Sequence, residues 1–219
     1  MFADSTDADR IASERDASEE RRRRRHEKTR REILRAAREV LLERGIDGLT
    51  VRDVAERADF SPAALYKYFE GRDEIIGALT MESFGILNGF IEGVSGRLRP
   101  DRRLVALGMA YLQFAEENPA DLRCVLESSM HPFPPGVDLS VGLRPVQALH
   151  ETLRDGIRQG VFRDMDEREL AGVSFGIWAL VHGMTTLTGV DLSTVRLDVR
   201  RDPRRALQTY VDGMRRPPS

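Results

Sequence analysis

Between Thr50 and Arg72 the chain gathers hydroxyls, cations and helix-start signals at spacings that suit a polyanion. Tyr66 and Tyr68 carry hydroxyls long enough to reach phosphates, and Lys67 and Arg72 add positive charge. Arg52, in the first turn of its helix, offers a two-pronged donor that can hold a guanine edge. Thr50 and Ser61 each open a helix, where free backbone N–H groups and the helix dipole favour a phosphate. Pro62, Ala63 and Ala64 have no base-reading hydrogen-bond group. They can only pack on thymine methyls or let the backbone come close. The plainer reading is that every small bundle has capped helices, with Tyr66 and Tyr68 as ordinary half-buried aromatics.

The elements that position these residues follow from apolar spacing and caps. Ile33, Leu34, Ala37, Val40 and Leu41 recur at i, i+3 and i+4, which predicts a helix from about Lys28 to a stop at Gly45. Thr50 caps a second helix, with Asp53 three residues on in a capping-box arrangement. Val51, Val54, Ala55 and Ala58 face inward. Ser61 caps a third helix, with Pro62 at the first position, where its missing N–H is harmless. Leu65 and Phe69 close a small three-helix core, so the second and third helices form a helix-turn-helix.

A fourth helix is expected over about 73–94. Later helices are expected near 101–117, 119–128, 141–160, 166–189 and 203–214, with Asn118-Pro119 and Asp202-Pro203 as starts. No stretch alternates as a strand does, and Met130–Gly136 must be a loop. The expected fold is all-α: an N-terminal three-helix DNA-binding domain and a larger helical domain. The expected divisions are a disordered tail with a basic arm over 1–25, the helix-turn-helix over 26–72, and the helical remainder over 73–219.

Net charge over all 219 residues is −2, which hides an asymmetry. Residues 1–20 hold 2 basic and 7 acidic side chains, whereas 21–72 hold 15 basic and 9 acidic. Cation excess beside a helical pair is the footprint of a nucleic-acid contact. The run Arg21–Arg25 has two readings: a solvated flexible stretch, or an arm along phosphates or a minor groove. Cys124 is the only cysteine, so no intrachain disulfide or cysteine-based zinc site is expected, in keeping with a reducing cytoplasm. The acidic N-terminus is not a secretory signal, and no apolar run approaches the ~18 residues of a membrane span. A soluble, cytoplasmic protein is expected, with no membrane partner.

The segment Thr29–Leu79 resembles the N-terminal domain of the tetracycline-repressor (TetR/AcrR) family. The resemblance rests on a first helix ending in Gly45, then LTVRDVAERA, Ser61, Leu65-Tyr66-x-Tyr68-Phe69 and Arg72-Asp73-Glu74-Ile75-Ile76. It implies that Thr50 and Tyr68 contact the DNA backbone and that Arg52, Pro62, Ala63 and Ala64 face bases. Tyr66, Lys67 and Arg72 would make further phosphate or groove contacts, with Ser61 at the helix start. One departure is Asp59, where the family usually has glycine. Asp tolerates the left-handed backbone of such a turn, and its charge is expected to weaken DNA binding slightly.

The same resemblance implies that the larger domain senses a small-molecule effector and pairs two chains. Trp178, His182 and Gly183 form the spacing W-x-x-x-H-G, similar to the family's WHG subgroup. Trp178 and His182 share a helical face, either as core or as effector lining. Phe114, Met130, Phe133, Phe175 and Met184 are the other effector-binding candidates. The last two long helices are the expected dimer surface, with Leu170, Val173, Ile177, Leu180 and Val181 inside a four-helix bundle. Gly85, Gly89 and Gly93 make a bare stripe that would admit a neighbouring helix or let its own helix bend.

The function this implies is a dimeric, ligand-responsive transcriptional regulator, most simply a repressor, that binds a near-palindromic operator and releases it when an effector binds. No catalytic residues, metal or cofactor are expected. His26, His131, His150 and His182 are scattered, and no phosphate loop or nucleophile elbow occurs. The rivals are a chromosome- or division-associated DNA-binding protein without an effector, and a helical protein–protein adaptor without salt-dependent DNA affinity.

Overall fold

The computed structural model describes residues 5–128, 138, 140–187 and 202–216, with side chains described from residue 15 onward. The Met130–Gly136 loop, and with it Met130 and Phe133, lies outside the described residues. The elements are α1 (Ser5–Gly48), α2 (Val51–Arg57), α3 (Pro62–Leu65), α4 (Arg72–Glu92), α5 (Pro100–Glu117), α6 (Pro119–Ser128), α7 (Ser140–Arg158), α8 (Glu167–Leu187) and α9 (Pro203–Asp212). Among the described residues there is no strand, only an isolated antiparallel bridge between Phe162 and Arg215.

The first helix departs from the expected disordered tail. It begins at Ser5 and runs without interruption to Gly45. The composition that reads as disorder is also rich in Ala, Glu and Arg, which are strong helix formers. Charge pairs one turn apart support it: Glu20 with Arg23 at 2.8 Å and Arg24 at 2.9 Å, and Lys28 with Glu32 at 3.9 Å. Gly45 breaks the helix as expected, with φ 74° and ψ 178°, a conformation open to glycine.

The chain divides into two compact units, Met1–Leu79 with Glu127–Pro134, and Thr80–Leu126 with Pro135–Ser219. The boundary falls inside α4 rather than at its start. In the first unit Ile33, Ala37, Leu41, Val54, Leu65 and Phe69 are buried into one core. In the second, α5 packs against α7, α8 and α9, burying Leu104, Phe114, Leu153, Phe162, Ile177 and Leu207. Asp202 caps α9 by accepting from Arg205 N at 3.0 Å, as expected. Asn118 differs: its side-chain amide donates to Phe114 O at 3.2 Å, so it caps the end of α5.

Two helices, α4 and α8, are long and apolar enough to cross a membrane by length and composition alone. Counting unbroken apolar runs missed them, because their Gly, Ser and Thr interrupt a run without making it polar. The apolar window of α4 is 56% buried, but that of α8 is only 22% buried. Phe175, Trp178 and Leu187 of α8 are 63%, 38% and 59% exposed, with Ala171, Gly172 and Ala179 exposed beside them. The expected bundle residues Leu170, Ile177 and Val181 are instead buried within the protomer.

The glycines of α4 also depart from expectation. A Cβ at Gly85 or Gly89 would meet nothing within 4 Å, so no helix leans on this stripe among the described residues. Close approach is required elsewhere: a Cβ at Gly108 would lie 2.7 Å from Leu207 Cδ1, and one at Gly156 would run into the Phe162 ring. Gly85→Ala or Gly89→Ala is therefore expected to stabilise the protein by about 0.5–1 kcal/mol. Gly156→Ala should destabilise it by about 1–3 kcal/mol through overpacking. Thermal or urea unfolding of the three variants checks both signs.

Candidate nucleic-acid interface and aromatic ladder

The two helices expected to meet DNA have seven and four residues, far shorter than the ~12 at which an isolated helix becomes even marginal. Their caps and neighbours must hold them. Thr50 Oγ1 accepts from Asp53 N at 3.1 Å and donates to Asp53 Oδ2 at 2.6 Å. Asp53 also pairs with Arg44 at 2.8 Å. The Thr50 hydroxyl, then Arg44, hold its carboxyl below the usual range. Arg57 bridges to Glu39 at 3.2 Å and Glu43 at 2.8 Å, fastening α2 to α1. Ser61 Oγ accepts from Ala64 N at 3.1 Å. A cap of this kind contributes about 1 kcal/mol. Asp59 sits between them at φ 60°, the left-handed conformation expected for the turn.

The presented surface follows. Arg52, Ser61, Pro62, Ala63, Tyr66 and Lys67 are exposed, and Ala64 is half-buried. Tyr66 is 56% exposed, which is unusual for a large aromatic and removes the reading of it as core. Tyr68 is half-buried, its ring 4.8 Å from His26 and 6.3 Å from Phe60. Arg72 faces inward: Nε donates to Leu49 O at 2.8 Å and Nη2 to Ile46 O at 2.7 Å. It clamps the turn after Gly45 and so supports the surface, with its side chain 38% exposed.

Sequence reasoning missed Arg30 and Glu74. Arg30 Nη1 donates to Tyr68 O and to Glu74 Oε1, the latter at 3.1 Å, while its guanidinium lies 4.0 Å from the centroid of Phe69. Glu74 Oε2 accepts from Glu70 N at 2.6 Å. The available signal was a cation at position 30, on the apolar face shared with Ile33, Leu34 and Ala37. Glu127, on the last turn of α6, was also missed. Its Oε2 accepts from Ile46 N at 2.6 Å, just past the break at Gly45.

In the second unit an aromatic ladder crosses from α8 to α5 and α4. Phe175 meets Trp178 at 5.9 Å, Trp178 meets His182 at 4.8 Å, and His182 stacks on Tyr111 at 5.1 Å. Tyr111 then meets Phe114 at 6.2 Å, and Phe114 meets Phe90 at 5.9 Å. The Tyr111 hydroxyl is buried with no hydrogen-bond partner among the described residues, and burial raises its pKa. Burial lowers that of His182, which favours the neutral ring.

The family model described as bacterial regulatory proteins, tetR family, matches residues 33–79. That described as tetracyclin repressor-like, C-terminal domain, matches residues 104–214. The chain belongs to the TetR family of transcriptional regulators. The HTH-type transcriptional regulator PksA of Bacillus subtilis is 43% identical over 51 residues, covering 23% of this chain and 25% of that protein. An HTH-type transcriptional regulator of Mycobacterium tuberculosis is 26% identical over 140 residues, covering 62% of this chain and 60% of that one. These alignments therefore span less than two thirds of the relatives. The crystal structure of the TetR regulator PfmR from Thermus thermophilus shares the fold, with a TM-score of 0.65 at 23% identity, covering 82% of this chain and 91% of that one.

The TetR family is one of helix-turn-helix transcriptional regulators, and the all-α two-part fold of this chain is the family's. The effector candidates separate in the structure. Trp178 and His182 are brought together, and Tyr111 links them to the fully buried Phe114. Phe175 joins the ladder only at its exposed end, and Met184 is half-buried. Tyr111 was missed because it lies on an ordinary apolar helix stripe, with only its hydroxyl to distinguish it.

The lowered pKa of His182 has a defined sign. The folded state prefers the neutral ring, so its stability is intact above the ordinary value of 6.5 and is lost as pH falls through the folded value. His182→Gln should flatten the stability profile below about pH 6.5 relative to the parent, while leaving the slope contributed by carboxylates. Denaturant midpoints across pH 5–8 for the two proteins measure the difference, and parallel profiles would refute the assignment.

Proposed function

We propose that this TetR-family regulator is a homodimeric, ligand-responsive repressor that binds a near-palindromic operator and releases it when a small molecule binds. The observation that carries the reading is the outward set Arg52, Pro62, Ala63, Tyr66 and Lys67, held on two capped helices and the turn after the second, all too short to be shaped by anything except their neighbours. In this reading Arg52 reaches a base edge. Pro62, Ala63 and Ala64 let the α3 backbone approach the groove. Thr50, Ser61, Tyr66, Lys67 and Tyr68 meet phosphates. The TetR family binds operators as dimers and takes small-molecule ligands, which gives the setting for the remaining parts.

Pairing is supported by the exposed apolar face of α8. Ala171, Phe175, Trp178 and Ala179 fall on one side of the helix and are exposed, and a face of that composition favours burial against a second copy. The effector reading rests on the ladder from Trp178 through His182 to Tyr111, whose unpartnered hydroxyl can be satisfied by a polar ligand atom. Occupation of that region in one arrangement of the dimer, and not the other, shifts the spacing of the two DNA-reading helices. Such a regulator works in the cytoplasm.

Selection of bound fragments from random duplex DNA tests the core of the proposal. A two-fold symmetric site is expected, and its absence would remove the operator reading. On the selected site, Arg52→Ala should weaken binding by about 1–3 kcal/mol and relax the preference at one base position per half-site. Lys67→Ala should weaken all sequences alike and reduce the salt slope by about 0.9 per half-site. Phe175→Asp should shift the chain to monomer in light scattering and abolish tight binding of the symmetric site. A Phe175→Asp protein that remains dimeric would place the pairing surface elsewhere.

A further inference from the structure

Five consecutive arginines on a helix cannot share a face. At about 100° per residue, Arg21, Arg22 and Arg25 fall within one arc of about 100°, and Arg23 and Arg24 fall with Glu20 on the opposite side. The hydrogen bonds divide them in the same way. Glu20 accepts from Arg23 Nε at 3.0 Å and from Arg24 Nε at 2.9 Å, and Arg24 and then Arg23 hold its carboxyl below the usual range. Arg21, Arg22 and Arg25 are exposed and form no ion pair among the described residues. Their neighbours three and four positions away are Ala17, Ser18, Glu19, Arg24, His26, Lys28, Thr29 and one another. Only Glu19 is acidic, and it makes no ion pair among the described residues. Like charges at these spacings destabilise a helix, and this face keeps its repulsion uncompensated.

The face is also placed. The same helix continues unbroken into the core of its own unit, and His26 sits 4.8 Å from the ring of Tyr68. Arg22 lies one turn, about 6 Å along the axis, before His26, on nearly the same side. The uncompensated arc therefore adjoins the proposed phosphate contact of Tyr68.

We propose that Arg21, Arg22 and Arg25 form a rigid helical grip for the phosphates of duplex DNA flanking each half-site, while Arg23 and Arg24 serve the helix itself. The inference rests on the DNA-binding reading given above. The ligand is the sugar-phosphate backbone, without base preference, because a row of guanidiniums on an exposed helix face supplies charge and donors in no base-specific pattern.

The test uses the full chain and its selected operator, with and without about one helical turn of flanking duplex on each side. Replacing Arg21, Arg22 and Arg25 together with Ala should lower affinity for the flanked duplex at least 30-fold at low salt. The slope of log K against log salt should become shallower by about 0.9 for every phosphate no longer neutralised. The Arg23→Ala, Arg24→Ala double variant should weaken binding less than 3-fold. Trimming the flanks should weaken the parent and leave the triple variant unchanged. Equal weakening in the two variants, or an unchanged slope in the triple, would overturn the grip and leave only diffuse charge. A parent that binds while the triple variant matches it sinks the grip alone. A parent that ignores every duplex sinks the DNA reading with it. Melting temperatures are expected to change little in either variant, since all five positions are exposed and exposed charge interactions contribute little each.

Discussion

Arg30 holds the presented surface together. Its guanidinium lies on the Phe69 ring, donates to the carbonyl of Tyr68 and pairs with Glu74. One side chain thereby joins α1, the end of the α3 segment and the start of α4. A planar cation with several donors can do this, where a lysine could satisfy only part of the set. Arg72 makes a parallel contribution from the other side, binding the carbonyls of Ile46 and Leu49. The exposed Tyr66, Lys67 and Arg52 have no such internal anchorage. They are carried by elements that these two arginines fix, which is how four- and seven-residue helices can show a defined face to solvent.

The division of labour among cations follows from burial. Arg30 and Arg72 supply donors to carbonyls at broken helix ends, Tyr68 O and Leu49 O among them, and a buried acceptor that loses its donor is costly. Arg44 and Arg57 form ion pairs on the surface of α1 and α2, and such exposed pairs contribute little each. Arg21, Arg22, Arg25, Arg52 and Lys67 form no ion pair among the described residues. The basic excess of this region is thus three populations, and only the last has its charge free for a polyanion.

Much of this was legible in the sequence. The helix boundaries from Arg72 onward follow apolar periodicity and proline starts to within a residue or two. The caps at Thr50, Ser61 and Asp202 and the left-handed Asp59 form as their side-chain chemistry dictates. What was not legible has physical causes. Helix propensity and sparse charge pairing won over low hydrophobicity in residues 5–25. Whether an arginine points into solvent or back at a carbonyl depends on the tertiary position of the carbonyl, so Arg72 reads outward and Arg30 does not register. The faces of α8 are apolar all round, so periodicity could not say which side packs within the protomer. Gly85 and Gly89 read as a contact stripe, yet the space beside them is open, while Gly108 and Gly156, with no pattern around them, are the positions closely approached.

The unbroken course of α1 from Ser5 to Gly45 carries a last consequence. On a continuous helix the direction of a side chain is set by counting, so changing one amino acid for another leaves every other position aimed as before. Losing or gaining a single residue between Arg25 and Arg30 would swing everything upstream by about 100° and shift it by about 1.5 Å. The segment is therefore tolerant of altered spelling and intolerant of altered length, the reverse of what a loose polar tail would permit.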